Sequence, residues 1–365
     1  MRPGLPYPVG GDSHPGGAVM IAAMMRRATL RAILTLPTPL LRALSGGKAF
    51  YRNGRTLDPR LQFIAEASRR YPPLDTLPPQ EARRLASAGV AAVAGSLPKG
   101  VRTQAMTVPA PGGPRPARLY RPPDQDPAAA VMVFAHQGGG VIGDLEEEDA
   151  FCGLLAAEGR MPVLAVDYRL APEHRYPAGF EDVLAAYRWA RDNAAHFGGP
   201  AGRAAVGGSS TGGGFAAAIC HALKRAGEPQ PDLQLLIYPA VDLAAEAQPG
   251  QGDLFPLTGA VAAWFLGQYL TADMSPDDPR LSPVREPDLS GLAPAIVALA
   301  GFDFLLDQGQ VYARRLMDAG VPVTFRCYDS LCHGFTAFTG AAPAAQTACL
   351  DIARLARGRP AAPQG

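Results

Sequence analysis

FAHQGGGVIGD, Phe134 to Asp144, sets a glutamine between a histidine and three glycines at the end of an apolar run. Two kinds of fold use such a loop to bring backbone close to a ligand. In a dinucleotide fold, Gly138, Gly140 and Gly143 would form G-x-G-x-x-G, and Asp167, at the end of the next apolar run, would stand where a ribose-binding acid belongs. In the other kind of fold the loop turns its N–H groups toward an anionic oxygen that develops during acyl transfer. The residues that follow decide between them. Asp144, Glu146, Glu147, Glu148 and Asp149 read as the opening of a helix. A pyrophosphate there would meet five carboxylates at the end where the dipole should attract it. Dinucleotide binding therefore stands as the discounted alternative.

Outward from this loop the pattern is regular. Thr103 to Val108 and Ala117 to Arg121 flank a Pro-Gly-Gly-Pro turn and predict a hairpin. Short apolar runs follow at Val131 to Ala135, Val163 to Val166, Ala204 to Gly207, Leu233 to Tyr238, Ala295 to Ala300 and Val323 to Tyr328, with helical stretches between them. Strands alternating with helices predict an α/β fold with a mostly parallel sheet covered on both faces. Function in such a sheet sits at the carboxyl ends of the strands. The interval Asp242 to Pro283 is too long for a simple crossover and carries its own apolar helix, Ala260 to Leu270. The expected division is an N-terminal arm with cap helices over 1–95, a first core segment over 96–242, a cap insertion over 243–283 and a second core segment over 284–365.

The acyl-transfer reading requires a nucleophile. Gly208, Ser209, Ser210, Thr211 and Gly212 fit G-x-S-x-G between the run Ala204 to Gly207 and a helix expected over Phe215 to Ala226, and only Ser210 has glycines at both flanking positions. A nucleophile on so tight a turn sits in strained backbone, and its neighbours must be small for the helix to pack behind it. Serine needs a base, and there are six histidines. His14 lies in a Gly/Pro-rich tail, His196 near the end of a polar helix and His221 inside the helix after Ser210; His136 and His174 read as structural. His333 follows the last strong strand in a short loop, where a mobile base belongs. Asp303, just past the strand Ala295 to Ala300, is the preferred acid, with Asp307 as its competitor. The chain order Ser210, Asp303, His333 is that of α/β-hydrolases.

Bulk properties constrain the partners. With 34 basic and 33 acidic side chains the net charge is +1, so no nucleic-acid partner is expected. Five cysteines, Cys152, Cys220, Cys327, Cys332 and Cys349, show neither paired nor metal-type spacing, which points to a reducing cytoplasm and no metal site. From Ser13 to Leu57 there is no Asp or Glu, while Arg26, Arg27, Arg31, Arg42, Lys48, Arg52 and Arg55 are basic. Leu30, Ile33, Leu34, Leu41 and Leu44 recur at helical spacing around a break at Pro37 and Pro39. The expectation is an arm packed on the rest of the protein, with a membrane-surface helix as the minority reading. Ala18 to Met25, followed by arginines, has the wrong order of flanks for a secretory signal, and Met20, Met24 and Met25 offer alternative starts.

DYRLAPEHRYPAGFEDV (Asp167 to Val183), DPRLSPV (Asp278 to Val284), GFDFLLDQG (Gly301 to Gly309) and YDSLCHGF (Tyr328 to Phe335) resemble the hormone-sensitive lipase family of microbial esterases, bacterial family IV. The resemblance runs from about residue 103 to 355. It implies an eight-stranded α/β-hydrolase core with a helical cap, no organic or metal cofactor, and hydrolysis of short- to medium-chain carboxylic esters through an acyl-enzyme. The family's H-G-G-G motif reads here His136, Gln137, Gly138, Gly139, so the implied oxyanion donors are the N–H groups of Gly138, Gly139 and Thr211. Tyr168 and Glu173 are scaffold in this family. The chain departs from the pattern at Gln137 (usually Gly), Gly140 (usually aromatic), Ser209 and Thr211 beside the nucleophile, Phe304 (usually Pro) and Gln308 (usually Glu). Gln137, Gly140 and Ser209 are the candidate pocket residues, with Gln137 expected in an ordinary backbone region. A small-molecule ester is the expected partner and a homodimer is admitted. A non-catalytic ligand receptor on the same fold is the rival from another class.

Overall fold

The computed structural model describes residues 17–245 and 255–358. His14 and part of the insertion over 243–283 lie outside the described residues. The chain enters through helices α1 (Gly17–Leu34) and α2 (Thr38–Leu44), a short hairpin of β1 (Tyr51–Arg52) and β2 (Arg55–Thr56), and helices α3 (Pro59–Ser68) and α4 (Pro79–Val93). α3 starts where the sequence supplies both signals: the Asp58 carboxylate caps the Arg60 N–H at 2.8 Å, and Pro59 takes the first position, where its missing N–H costs nothing.

Eight strands then build one sheet. They are β3 (Arg102–Val108), β4 (Arg115–Arg121), β5 (Val131–Ala135), β6 (Val163–Val166), β7 (Ala204–Ser209), β8 (Gln234–Ile237), β9 (Ala295–Phe302) and β10 (Val323–Cys332). Their order is β10-β9-β8-β7-β5-β6-β4-β3; the six strands from β10 to β6 run parallel, and β4 and β3 are antiparallel at one edge. The central strands are buried on both faces because helices cover both. Their side chains divide by the two-residue period. Val131, Val133 and Ala135 enter the core beneath α6 (Ala178–Asp192), α7 (Thr211–Ala226) and α9 (Leu306–Asp318), while Met132 and Phe134 enter the one beneath α5 (Asp149–Gly159) and α10 (Pro343–Gly358).

Two expectations need correction. The acidic run after the glycine loop is a turn, and α5 begins only at Asp149. The Asp144 carboxylate accepts from the N–H groups of Glu146 and Glu147 at 2.9 and 3.0 Å, so its side chain competes with a helical ladder. α7 begins at Thr211, four residues before the predicted Phe215, because tight packing holds the glycines Gly212 to Gly214 in helical form.

The arm packs on the core. Leu34 and Leu41 are buried, Arg31 donates to the Ala94 carbonyl at 2.8 Å, and Arg60 donates to that of Leu34 at 3.0 Å. Arg83 of α4 joins three segments, donating to the Val141 and Ala171 carbonyls at 2.8 Å each and to both oxygens of Glu173. The helix of the insertion, α8 (Gly259–Tyr269), is capped by Thr258 and lies over the glycine loop.

Candidate active site

Ser210 stands between β7 and α7 at φ +53°, ψ −119°, a conformation that costs a non-glycine residue roughly 1–3 kcal/mol and is sustained by its surroundings. The surroundings are backbone. The Ser210 N–H donates to the Ile237 carbonyl at 2.9 Å, and its carbonyl accepts from Gly214 and Ala240. A Cβ at Gly212 would stand 2.1 Å from the Ala135 carbonyl oxygen, which explains why the second glycine of the motif admits no side chain.

His333 Nε2 lies 3.0 Å from Ser210 Oγ, and its Nδ1 lies 3.0 and 2.9 Å from the two oxygens of Asp303. All three residues are buried. Asp303 is fixed in turn by the Leu305 N–H, which donates to it at 2.7 Å. Asp307, the competing acid, is exposed in the first turn of α9. The other described histidines are placed elsewhere. His136 stacks on Tyr168, and burial holds its pKa below the ordinary value. His221 is hydrogen-bonded to the Tyr312 hydroxyl, and burial, helped by Arg225 and Lys224, lowers its pKa to about 3. His174 and His196 are exposed.

Gly138, Gly139 and Gly140 have φ of +124°, +64° and +71°, so the loop needs glycine at these three positions, whereas Gln137 has no positive φ. Space explains the rest. A Cβ at Gly139 would meet the Phe265 ring at 2.3 Å, and one at Gly140 the Tyr269 ring at 2.7 Å. Tyr269 fills the place beside Gly140, where the family usually has an aromatic. Gln308, in place of the usual Glu, keeps the acceptor role: its Oε1 takes the N–H groups of Val241 and Asp242 at 2.7 Å each. The hallmark stretch is bonded as scaffold, with Tyr168 donating to the His136 carbonyl at 2.9 Å and Asp182 gripping Arg169.

A cavity of about 1910 Å³ opens above Ser210 and His333. Its walls include Gln137, Gly138, Gly139 and Thr211, together with Phe265 and Leu266 of α8 and Leu85 and Val90 of α4. Two of the three expected pocket residues are not on it. Ser209 is fully buried and donates to Glu148 at 2.5 Å, because its position at the end of β7 turns it away from the side that Ser210 faces. Gly140 lies beneath Tyr269. Sequence reasoning missed Phe265 and Tyr269, whose helix was read only as apolar, and Glu148, which nothing distinguishes within its acidic run. Among the described residues no group of histidine, cysteine and acidic side chains could hold a metal ion, the five cysteines are unpaired, and no helix is long and apolar enough to cross a membrane.

Fold and geometry together define a hydrolase of the nucleophile-turn type, and comparison with known proteins gives the same class. A family model described as the alpha/beta hydrolase fold matches residues 132–337. The carboxylic ester hydrolase LipN of Mycobacterium tuberculosis is 42% identical over 82% of each chain, and an ethyl acetate hydrolase of Pseudomonas putida is 38% identical over 72% of this chain and 85% of its own. Among solved structures, an ester hydrolase from the metagenome of Lake Arreo, in complex with a derivative of bipyridine phosphonate, superposes with a TM-score of 0.79 at 37% identity, covering 83% of this chain and 98% of that one. The chain belongs to the hormone-sensitive lipase family, bacterial family IV, of carboxylic ester hydrolases on the alpha/beta-hydrolase fold. The dinucleotide and receptor alternatives find no support.

Proposed function

We propose that Ser210, His333 and Asp303 carry the ester hydrolysis, with the N–H groups of Gly138, Gly139 and Thr211 as the oxyanion hole. Ser210 Oγ attacks the acyl carbonyl as its proton passes to His333 Nε2, and Asp303 holds the opposite ring nitrogen in the required tautomer. The carbonyl oxygen becomes an anion against the three N–H groups, and each such donor is worth about 10²- to 10³-fold in turnover. Collapse expels the alcohol with the proton from His333. Water, activated by the same imidazole, then attacks the acyl-enzyme and frees the acid. The observation that carries this reading is the unbroken hydrogen-bond chain Ser210–His333–Asp303 opening onto the glycine loop.

Residues 1–95 and 243–283 are proposed as the cap over the catalytic core of 96–242 and 284–365. The apolar walls that their described residues contribute suit short- to medium-chain acyl groups, with room at the upper end of that range. Five unpaired cysteines favour the reducing cytoplasm as the place of action. Initial rates on p-nitrophenyl esters from acetate to laurate test the substrate class: turnover should be highest between acetate and octanoate. Preference for laurate would contradict it.

A further inference from the structure

Glu148 is 1% exposed, and the mechanism above gives it no task. Its Oε1 accepts from Ser209 Oγ, so it is bonded to the residue that precedes the nucleophile. The backbone N–H of Gln137 and the hydroxyl of Thr336 approach the same carboxyl closely enough to favour its charged form, although Oε2 has no well-aligned partner among the described residues. Thr336 shares a hydrogen bond with the Tyr238 hydroxyl, and the Tyr238 ring lies 4.8 Å, centroid to centroid, from the imidazole of His333. One carboxyl thus meets the glycine loop, the strand end that carries Ser210 and the turn that follows His333. These three segments must keep their relative placement, since a 1 Å error in such a site can cost about 10²-fold in rate.

We propose that Glu148 is a positioning residue that holds the oxyanion loop, the nucleophile and the base loop in one alignment through Gln137, Ser209 and Thr336. The proposal rests on Ser210 and His333 being nucleophile and base. It has a consequence in pH. Burial pushes the Glu148 carboxyl up to about 7, against the opposing influence of the Ser209 hydrogen bond and of the nearby Gln137 N–H and Thr336 hydroxyl. The titratable groups around it include Glu147, also raised to about 7 by burial, and Cys152, Cys349, Tyr168 and Tyr238, all pushed well up by burial. Glu148 is neutral at mildly acidic pH. Above about 7 it becomes a carboxylate behind the N–H groups that must receive the oxyanion, and like charge opposes the transition state.

The test measures kcat and KM on one p-nitrophenyl ester across pH for the wild type, Glu148→Gln, Glu148→Ala and Ser209→Ala, each normalised to titrated active sites, with Ser210→Ala as blank. Glu148→Gln keeps an acceptor for Ser209 and cannot ionise. The ratio of wild-type kcat to its kcat should be level at low pH and fall roughly two- to fivefold through neutrality. Glu148→Ala should lower kcat by roughly 10- to 50-fold with KM within about twofold, and Glu148→Gln should recover most of that loss. If Glu148→Ala does not fold, Ser209→Ala takes its place: it removes a hydrogen bond that favours the carboxylate, so the fall in its own ratio to Glu148→Gln should move to higher pH. A level ratio for Glu148→Gln, or a Glu148→Ala kcat within about twofold of wild type, overturns the proposal. An active Ser210→Ala overturns instead the assignment on which it rests.

Discussion

On the floor of the site, a Cβ at Gly212 would stand 2.1 Å from the Ala135 carbonyl oxygen, and one at Gly208 would stand 2.3 Å from the carbonyl carbon of Gly212. In the roof, a Cβ at Gly89 of α4 or Gly267 of α8 would meet nothing within 4 Å. The floor is backbone packed on backbone, with Ser210 held in a strained conformation by three main-chain hydrogen bonds. The roof is made of helices tied to the core by side chains, such as Arg83 of α4 spanning to Val141, Ala171 and Glu173, and it presents apolar walls to the cavity. Chemistry that needs placement within an ångström belongs on the first kind of structure. Selection among substrates tolerates the second. The two meet at Gly139 and Gly140, against which Phe265 and Tyr269 rest.

The contrast can be broken first at the acid. Asp303→Asn should lower kcat by roughly 10³- to 10⁴-fold, because the amide holds His333 in the wrong tautomer, whereas Asp307→Asn should stay within about twofold. Steady-state kinetics of the two variants decides it, and the reverse order would reassign the acid. A second break compares glycines. Gly212→Ala forces backbone apart and should destabilise by about 3 kcal/mol or prevent folding, as overpacking of a rigid site does. Gly89→Ala, in an open helical position, should stabilise by about 0.5–1 kcal/mol. Chemical denaturation measures both, and similar effects at the two sites would erase the distinction between floor and roof.

Where the two regions adjoin, Gln137 offers a finer measure. It lines the cavity, and its side-chain oxygen lies near Gly334, the residue after His333. Gln137→Gly should keep hydrolysis and shift preference among alcohol groups by a few-fold, about 1 kcal/mol. The comparison is kcat/KM for one acyl group on several alcohols. A uniform change across that series would remove Gln137 from the alcohol side of the pocket.

Legibility in the sequence follows the same division. Strands buried on both faces announce themselves as apolar runs, so Val131–Ala135 and Val163–Val166 appear with the bounds that the sequence predicts. β10 reads short because Asp329 and Ser330 interrupt its apolar run; the chain continues to Cys332 through a register shift. The nucleophile turn is legible because backbone contact demands glycine at fixed positions. The direction that Ser209 faces is not, since a G-x-S-x-G pattern says which residues are small and nothing about what the intervening side chain meets. The acidic run misleads for a related reason: five carboxylates suggest a capped helix, but Asp144 folds the backbone into a turn and Glu148 is carried inward to Ser209. The roof is legible only as apolar helices. Which of their side chains reach the glycine loop depends on crossing geometry, which no local pattern encodes.

The central claim is that Ser210, activated by His333, is the nucleophile. It is tested most directly by treating the protein with a fluorophosphonate, which traps an activated serine, and locating the adduct by peptide mass spectrometry. The expected result is one adduct on Ser210 in the wild type and in Ser209→Ala, with labelling slowed by about 10³-fold or more in His333→Ala. An adduct on Ser209 or on any serine remote from His333, or labelling at an undiminished rate in His333→Ala, would contradict the account.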